Sequence, residues 1–260
     1  MRNLSKMWLF LSAAVVVVTF TGFAHADYFY QTLDFSVARP TKAYGISGNN
    51  IVGIYNVTYD ISQGFLYNGL TYTPLNVPGA TKTIAHGISG NNIVGSFENG
   101  GKWYGFLYNG STYNNIIVPY AKQIFPYGIS GNNIVGTYSD VSYKNHGFLY
   151  NGSTYTTFDV PGALKTEAYG ISGNNIVGIY YEPGGKRHGF LYNGSTYSSF
   201  DMIGVNYYEA WGMSGNNIVG WYNDASGIAH GFIRKPTNTM IAPKQTLPKD
   251  TSPKLPTLGK

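Results

Sequence analysis

The chain has 260 residues, of which 43% are hydrophobic and only 11% are charged, against about 25% charged in an average soluble domain. This composition argues against a charge-rich disordered protein, and the absence of cysteine excludes disulfides and thiolate metal sites. The 24 tyrosines, 14 phenylalanines and 34 glycines instead favour a β-rich protein with many tight turns.

The first 26 residues have the pattern of a secretory signal. Arg2 and Lys6 precede an apolar run from Trp8 to Phe23, which ends in the small-x-small sequence Ala24-His25-Ala26. The run is shorter than the roughly 20 residues that a membrane span needs, and no later segment is comparably apolar. We therefore expect a mature protein that starts near Asp27, has no transmembrane segment and is exported to the periplasm or the medium.

Two motifs recur through the mature chain at a nearly constant period. The sequence Gly-Ile-Ser-Gly-Asn-Asn-Ile-Val-Gly begins at Gly45, Gly87, Gly128 and Gly170, and recurs with Met for Ile at Gly212. The sequence Gly-Phe-Leu-Tyr-Asn-Gly follows it in each of the first four copies and survives in part at Gly231. Five copies spaced by about 42 residues indicate a repeat architecture.

Each repeat predicts four short strands. In the first copy these are residues 43–47, 51–55, 64–67 and 71–77, separated by Gly-Asn-Asn and Asn-Gly turns that tolerate positive φ. Four antiparallel strands about every 40 residues are typical of a propeller blade. The sequence thus predicts an all-β, five-bladed β-propeller over residues 27–234, with repeats starting near 43, 85, 126, 168 and 210.

The ends of the chain complete this prediction. The fifth repeat stops at Arg234 without a fourth strand, whereas Asp34 precedes the first motif by the spacing at which Asp159 and Asp201 precede theirs. We expect the segment Tyr28–Val37 to supply the missing strand and close the last blade. Residues 235–260 form a basic Pro/Lys/Thr tail that is predicted to be disordered, either a solvated terminus or an electrostatic tether to an acidic envelope polymer.

The basic charge of the protein belongs to this tail. The net charge is +5, but residues 234–260 contain six basic residues and one acidic residue, and residues 27–233 contain nine basic and eleven acidic ones. A nucleic-acid interface on the propeller is therefore not supported.

The repeat resembles the bacterial extracellular HAF repeats, which are named for a His-Ala-Phe triplet. The similarity lies in Ala-x-Gly-Ile-Ser, Ile-Val-Gly-x-Tyr and His-Gly-Phe-Leu-Tyr, with the triplet at His146, His188 and His230. Gln63 and Tyr104 replace the histidine in the first two copies. The resemblance implies export and a repeat-built β fold, and it carries no activity and no catalytic residue.

The sequence offers three sets of candidate binding residues, all of which have a structural alternative. An aromatic ring precedes the glycine of each innermost strand and is expected either to form a stacking platform for sugars near the axis or to pack between blades. The members of this set are Tyr44, His86, Tyr127, Tyr169 and Trp211.

The second set comprises His146, His188 and His230. Three histidines can ligate a metal ion, but equivalent positions on adjacent blades are far apart, and a histidine hydrogen-bonded across its hairpin is the alternative. No metal and no cofactor is predicted.

The third set consists of carboxylates. Glu167 and Glu209 come just before innermost strands and are candidate acids near the axis, while Asp34, Asp159 and Asp201 recur at a strand end, where a turn-capping role is expected. None of these acids lies in a recognisable catalytic motif.

These observations favour a secreted, non-catalytic binding or scaffold module with a lectin-like preference for glycans, whose regular blades suit repeated weak contacts. The variable loops between the second and third strands are the expected ligand face. The alternative is a polysaccharide hydrolase or lyase, which requires asymmetric acids in one deep pocket.

Overall fold

A computed structural model of the chain describes residues 32–35, 40–58, 61–205 and 207–236. It confirms the prediction of an all-β, five-bladed β-propeller. The predicted signal segment and nearly all of the predicted tail lie outside the described residues. No described residue belongs to a helix that could cross a bilayer.

Nineteen strands make up the described part of the five blades, each blade being an antiparallel meander. Blade 1 contains β1 (Thr41–Ser47), β2 (Asn50–Asn56), β3 (Ser62–Tyr67) and β4 (Tyr72–Leu75). Blade 2 contains β5 (Lys82–Ser89), β6 (Asn92–Asn99), β7 (Lys102–Tyr108) and β8 (Tyr113–Ile116). Blade 3 contains β9 (Gln123–Ser130), β10 (Asn133–Ser139), β11 (Asn145–Tyr150) and β12 (Tyr155–Phe158). Blade 4 contains β13 (Lys165–Ser172), β14 (Asn175–Tyr181), β15 (Arg187–Tyr192) and β16 (Tyr197–Phe200), and blade 5 contains β17 (Tyr208–Ser214), β18 (Asn217–Asn223) and β19 (Ala229–Arg234).

The fourth strand is shorter than the sequence predicts. In blade 1 the prediction extends to Val77, whereas β4 ends at Leu75. The backbone N–H of Val77 donates to the hydroxyl of Thr83 in the next blade at 3.2 Å, and it is therefore withdrawn from the strand ladder.

The core consists of the layers between successive blades. In blades 1 to 4 the valine of the second strand is buried against the following blade, and Val52 packs with Ala85, Ile88 and Phe106 of blade 2. The equivalent residues Val94, Val135 and Val177 are also fully buried. Stability therefore comes from each blade covering its neighbour.

The junction between blades 5 and 1 differs from the other four. A β-carbon added to Gly170 of blade 4 would lie 3.0 Å from the carbonyl oxygen of Trp211 in blade 5. A β-carbon added to the equivalent Gly212 of blade 5 would meet only Val219 of the same blade within 4 Å. Val219 is 47% exposed. Within the described residues, blades 5 and 1 thus stand apart at the axis.

The predicted closing strand lies mostly outside the described residues, of which it contributes only 32–35. Phe35 in this piece stacks on Tyr55 of blade 1 at 3.8 Å, and its N–H donates to the hydroxyl of Thr41 at 3.2 Å. The end of the fourth strand of blade 3 contacts blade 4 in the same way, from the N–H of Val160 to Thr166. The segment therefore sits on blade 1 as a fourth strand sits on the blade that follows it.

Candidate functional site

A β-bulge directs one aromatic ring of every blade toward the axis. In blade 1 the ladder between β1 and β2 shifts register between Ala43 and Gly45, which leaves Tyr44 as the extra residue. The same shift occurs at the equivalent place in the other blades. A bulge reorients the side chain of its unpaired residue, so these rings leave the blade sheets and converge.

The five predicted axial rings form a continuous arc in which each ring packs against the ring of the next blade. Centroid distances between successive rings are 5.7 Å for Tyr44 and His86, 4.9 Å for His86 and Tyr127, 5.1 Å for Tyr127 and Tyr169, and 4.8 Å for Tyr169 and Trp211. The inner members are shielded, with Tyr169 only 8% exposed, while Tyr44 and Trp211 at the two ends are 43% and 39% exposed. The two ends are therefore the most exposed members of the arc.

Crowding at the axis changes the ionisation of the inner rings. Desolvation lowers the pKa of His86 to about 4, because it disfavours the charged imidazolium. Burial raises the pKa of Tyr127 and Tyr169 well above the ordinary value for tyrosine, and the Glu167 carboxylate raises both further. These rings are neutral at physiological pH.

Glu209 is the centre of a polar cluster at the blade 5 end of the arc. Its carboxylate accepts hydrogen bonds from the indole N–H groups of Trp211 at 2.6 Å and Trp221 at 3.2 Å, and from the hydroxyl of Tyr207 at 3.3 Å. It also pairs with the Arg187 guanidinium at 3.2 Å, and the two side chains are 13% and 10% exposed. With four donor groups on it, the carboxylate orients the rings around it.

Glu167 has the same relationship to the next ring of the arc. It accepts a hydrogen bond from the Asn145 amide at 2.7 Å and from the hydroxyl of Tyr169 at 2.6 Å. The two predicted axial acids are therefore brought to the same region as Tyr127, as the shared effect of both on its pKa shows. Each is held as a hydrogen-bond acceptor for an aromatic residue.

A cavity of about 790 Å³ opens beside this cluster, between the loop of blade 4 and the connection to blade 5. Tyr181, Lys186, Arg187, Asp201 and Tyr207 contribute its polar and aromatic lining. The guanidinium of Arg187 lies 4.1 Å from the ring centroid of Tyr207, which is itself 41% exposed. The cavity lies on the face of variable loops where the sequence places a ligand.

A second, smaller cavity of about 420 Å³ lies at the corresponding loop of blade 2. Phe97, Lys102 and Tyr104 are among its lining residues. It has no arginine and no carboxylate in its lining, so its chemistry differs from that of the larger cavity.

The predicted histidines do not converge, and carboxylates hold each of them in place. Nδ1 of His146 lies 2.8 Å from Asp159, and Nδ1 of His188 lies 2.8 Å from Asp201. The Nε2 atom of His230 lies 3.1 Å from Asp224. Each histidine is therefore hydrogen-bonded within its own blade, as in the alternative to a metal site that the sequence left open.

The recurring aspartates therefore have a role that the sequence analysis did not assign to them. Asp159 and Asp201 were expected to cap turns, but their carboxylates accept from the histidine of the neighbouring strand. Asp34 is described but exposed. No group of three His, Asp or Glu side chains suited to a metal ion occurs in the described parts of the chain.

Sequence reasoning missed Arg187, Tyr207 and Trp221. The signal that identifies Arg187 is the pairing of positions between repeats. In each blade the third strand contains the glycine of the Gly-Phe motif, and the first strand contains the glycine that opens the Gly-Ile-Ser or Gly-Met-Ser motif. The residue two places before the former faces the residue three places before the latter in the next blade. The pairs are Trp103 with Phe125, Asn145 with Glu167, and Arg187 with Glu209.

No known family and no curated protein matches the sequence of the chain. Solved structures do resemble it. A putative TolB from Agrobacterium tumefaciens has a TM-score of 0.53 and 17% identity over 75% of this chain and 73% of its own. An acylaminoacyl peptidase from Pyrococcus horikoshii has a TM-score of 0.52 and 12% identity over 80% of this chain and 38% of its own.

A six-bladed fungal lectin from Aleuria aurantia that recognises fucose has a TM-score of 0.48 and 13% identity, over 75% of this chain and 74% of its own. At such identities the TolB and peptidase resemblances show the fold alone, and the lectin resemblance carries no further argument.

Proposed function

We propose that the protein is an exported, non-catalytic β-propeller that binds glycans in the cavity between blades 4 and 5. The leader pattern of residues 1–26 and the resemblance of the repeat motifs to the HAF repeats support export. The observation that carries the proposal is the exposed ring of Tyr207 at the wall of an open 790 Å³ cavity that also contains charged side chains.

This combination matches what a sugar requires from a protein. A pyranose has an apolar face of C–H groups that packs on an aromatic ring and a rim of hydroxyls that needs donors and acceptors. Tyr181 and Tyr207 supply rings, while Lys186 and Asp201 supply polar groups at the mouth. A cavity of this size accommodates a sugar unit or a short oligosaccharide.

The charges of the cavity are balanced, which favours a neutral sugar. Arg187 is paired with Glu209 at 3.2 Å, and Lys186 lies 4.0 Å from Asp201. Each cation thus has a carboxylate beside it, which disfavours a carboxylate or sulfate group on the ligand. Binding in this cavity is accordingly expected to change little with salt concentration.

The arrangement of acids supports binding rather than hydrolysis. A glycosidase needs one carboxyl group that donates a proton and a second that acts as nucleophile or base. Glu209 is occupied by four donors and Glu167 by two. Both carboxylates are acceptors that organise the protein itself.

The test is a glycan array with the purified protein, followed by calorimetric titration of the best neutral ligand at 0.05 and about 0.5 M salt. We expect binding that is insensitive to salt and that weakens by about tenfold or more in Tyr207→Ala, since a buried aromatic contact commonly contributes that much. Leu70→Ala is the matched control, because Leu70 is 87% exposed and lies on the opposite, hairpin face. Absence of any glycan ligand, or an unchanged affinity in Tyr207→Ala, would reject the proposal.

A further inference from the structure

Two tyrosines adopt a backbone conformation that L-residues with bulky side chains rarely tolerate. Tyr120 has a φ of 63° and Tyr143 a φ of 61°, and they are the only residues other than glycine with positive φ in the described ranges. In this left-handed region the β-carbon crowds the following carbonyl oxygen, so the conformation is unfavourable.

The repeats themselves show which residue the fold prefers at the position of Tyr120. Tyr120 is the third residue of a Val-Pro-x-Ala turn in which the N–H of Ala121 donates to the Val118 carbonyl at 3.2 Å. Such a turn requires positive φ at its third residue, and glycine is the usual choice. The equivalent residues of the other described connections are Gly79, Gly162 and Gly204, with φ of 79°, 79° and 77°.

Tyr143 replaces glycine in the same manner in the loop between β10 and β11. Its N–H donates to the Asp140 carbonyl at 3.0 Å, and the N–H of Asp140 donates to the Lys144 carbonyl at 3.0 Å. The corresponding loops of blades 4 and 5 repeat this pattern with Gly185 and Gly227, whose φ values are 85° and 79°. The connection that leads into blade 3 and the loop between β10 and β11 of blade 3 thus carry tyrosine where these equivalent positions carry glycine.

Packing does not account for either substitution. Tyr120 is 90% exposed and Tyr143 is 62% exposed, so neither ring gains the burial that would offset a strained backbone. Strained residues that persist without a packing reason are typical of ligand contacts. The equivalent turns of other repeats adopt the same positive φ with glycine and without strain. The strain therefore comes from the tyrosine side chains and not from the turns.

The two tyrosines belong to one surface patch, and Lys122 joins them. The Lys122 ammonium lies 4.3 Å from the centroid of the Tyr143 ring. Lys122 is two residues from Tyr120, which places their α-carbons within about 7 Å of each other. Lys122 has no ion-pair partner among the described residues.

The carboxylate of Asp140, in the same loop as Tyr143, is held by groups other than Lys122. One carboxylate oxygen of Asp140 accepts hydrogen bonds from the N–H groups of Ser142 and Lys144 at 2.8 and 2.9 Å, and the other faces His146 at 3.4 Å. The patch therefore presents two exposed rings beside an unpaired ammonium group, a combination that the neutral cavity between blades 4 and 5 lacks.

We propose that Tyr120, Lys122 and Tyr143 form a second binding site, which takes acidic glycans such as uronate-containing polysaccharides. The rings would stack on sugar faces while Lys122 pairs with a carboxylate. The inference rests on the proposed function for the class of ligand but uses a different part of the surface. A protein partner is disfavoured, because two rings and a lysine supply much less than the roughly 800 Å² that each side of a stable protein interface buries.

The test compares oligosaccharides of polygalacturonate and alginate with their carboxyl-reduced forms, using the full-length protein and the double variant Tyr120→Gly/Tyr143→Gly. We expect the wild-type protein to bind the acidic forms in a salt-dependent manner and the double variant to bind them at least about tenfold more weakly. The melting temperature of the variant should not fall, because glycine is the residue that the other repeats use in these turns. Lys122→Gln should weaken binding of the acidic forms and remove most of its salt dependence.

The controls separate this site from the cavity between blades 4 and 5. Leu70→Ala should bind the acidic oligosaccharides like wild type, and Tyr207→Ala should also retain that binding. Unchanged affinity in the double glycine variant would overturn the proposal while leaving the neutral-glycan site intact. Loss of glycan binding in the double variant together with a lower melting temperature would also overturn it. A ligand that proves to be a protein instead of a glycan, and that the double variant no longer binds, would overturn it as well.

Discussion

The ion pair between Arg187 and Glu209 provides the sharpest test of how the site is built. Both side chains are almost inaccessible, with 10% and 13% exposure, and they join blade 4 to blade 5 at 3.2 Å. Replacing Arg187 by Met keeps the apolar stem and leaves the carboxylate without its cation. Removing one partner of a buried pair typically costs about 3–5 kcal/mol.

The lower end of this range applies here. Glu209 retains hydrogen bonds from Trp211, Trp221 and Tyr207 after the substitution, so we expect Arg187→Met to cost about 3 kcal/mol. For a domain of this size that corresponds to a fall in melting temperature of about 6–12 °C. Differential scanning calorimetry and urea denaturation of the full-length protein measure both quantities.

Lys186→Met is the matched control. Lys186 is the next residue in the chain, its side chain is 64% exposed and its ammonium lies 4.0 Å from Asp201, so its removal should cost no more than about 0.5 kcal/mol. In a double-mutant cycle, Arg187→Met with Glu209→Gln should destabilise by less than the sum of the single changes, with a coupling of about 1–3 kcal/mol. Equal effects of the two single variants at Arg187 and Lys186, or strict additivity in the cycle, would refute the buried-pair argument.

Three further predictions concern the scaffold. Tyr208→Phe removes a buried hydroxyl that accepts the Gly189 N–H at 2.6 Å and should cost about 1–3 kcal/mol in urea denaturation. His86 has its pKa lowered to about 4 in the folded protein against 6.5 when unfolded, so its contribution to the free energy of unfolding should be fully present above pH 6.5 and fall by about 3 kcal/mol as the pH drops to 4; the variant His86→Tyr should lose this part of the pH dependence. Gly95→Ala would drive a β-carbon into the Ile84 carbonyl oxygen and should prevent folding, as judged by far-UV circular dichroism.

Controls accompany these variants. Tyr104→Phe alters a tyrosine that is 38% exposed and should leave stability within about 0.5 kcal/mol of wild type. Gly90→Ala meets no atom within 4 Å but has a φ of 59°, so it should cost only about 1–2 kcal/mol. The reasoning fails if Tyr208→Phe is as stable as Tyr104→Phe, if His86→Tyr keeps the wild-type pH profile, or if Gly95→Ala folds as well as Gly90→Ala.

The number and type of blades could be predicted from the sequence because they depend on local chemistry that recurs. A turn such as Asn68-Gly69 selects a hairpin wherever it occurs, and Gly69 indeed has a φ of 92°. Apolar residues between such turns define strands of limited length, and a 42-residue period repeats the unit. The five axial rings were also predictable as a set, since they occupy one position of the repeat.

The functional surface was less predictable because it arises where the repeats differ. Arg187 and Glu209 are 22 residues apart and belong to different blades, and only the stacking of blade 5 on blade 4 brings them together. The hydrogen bond between His188 and Asp201 could likewise not be predicted, because it depends on the register of β15 against the end of β16. Side-chain pairs of this kind depend on the geometry of the junction and not on either segment alone.

The sequence by itself determined the repeat, the all-β class and the blade count of this protein, because turn chemistry and strand pattern act over a few residues. The tertiary structure alone decided that a bulge turns each aromatic ring toward the axis, and that Glu209 is enclosed by donors instead of facing a ligand. It also showed that Tyr120 and Tyr143 hold backbone conformations where the other repeats have glycine. These features depend on distances between blades and on backbone angles, which long-range packing sets and a local pattern does not encode.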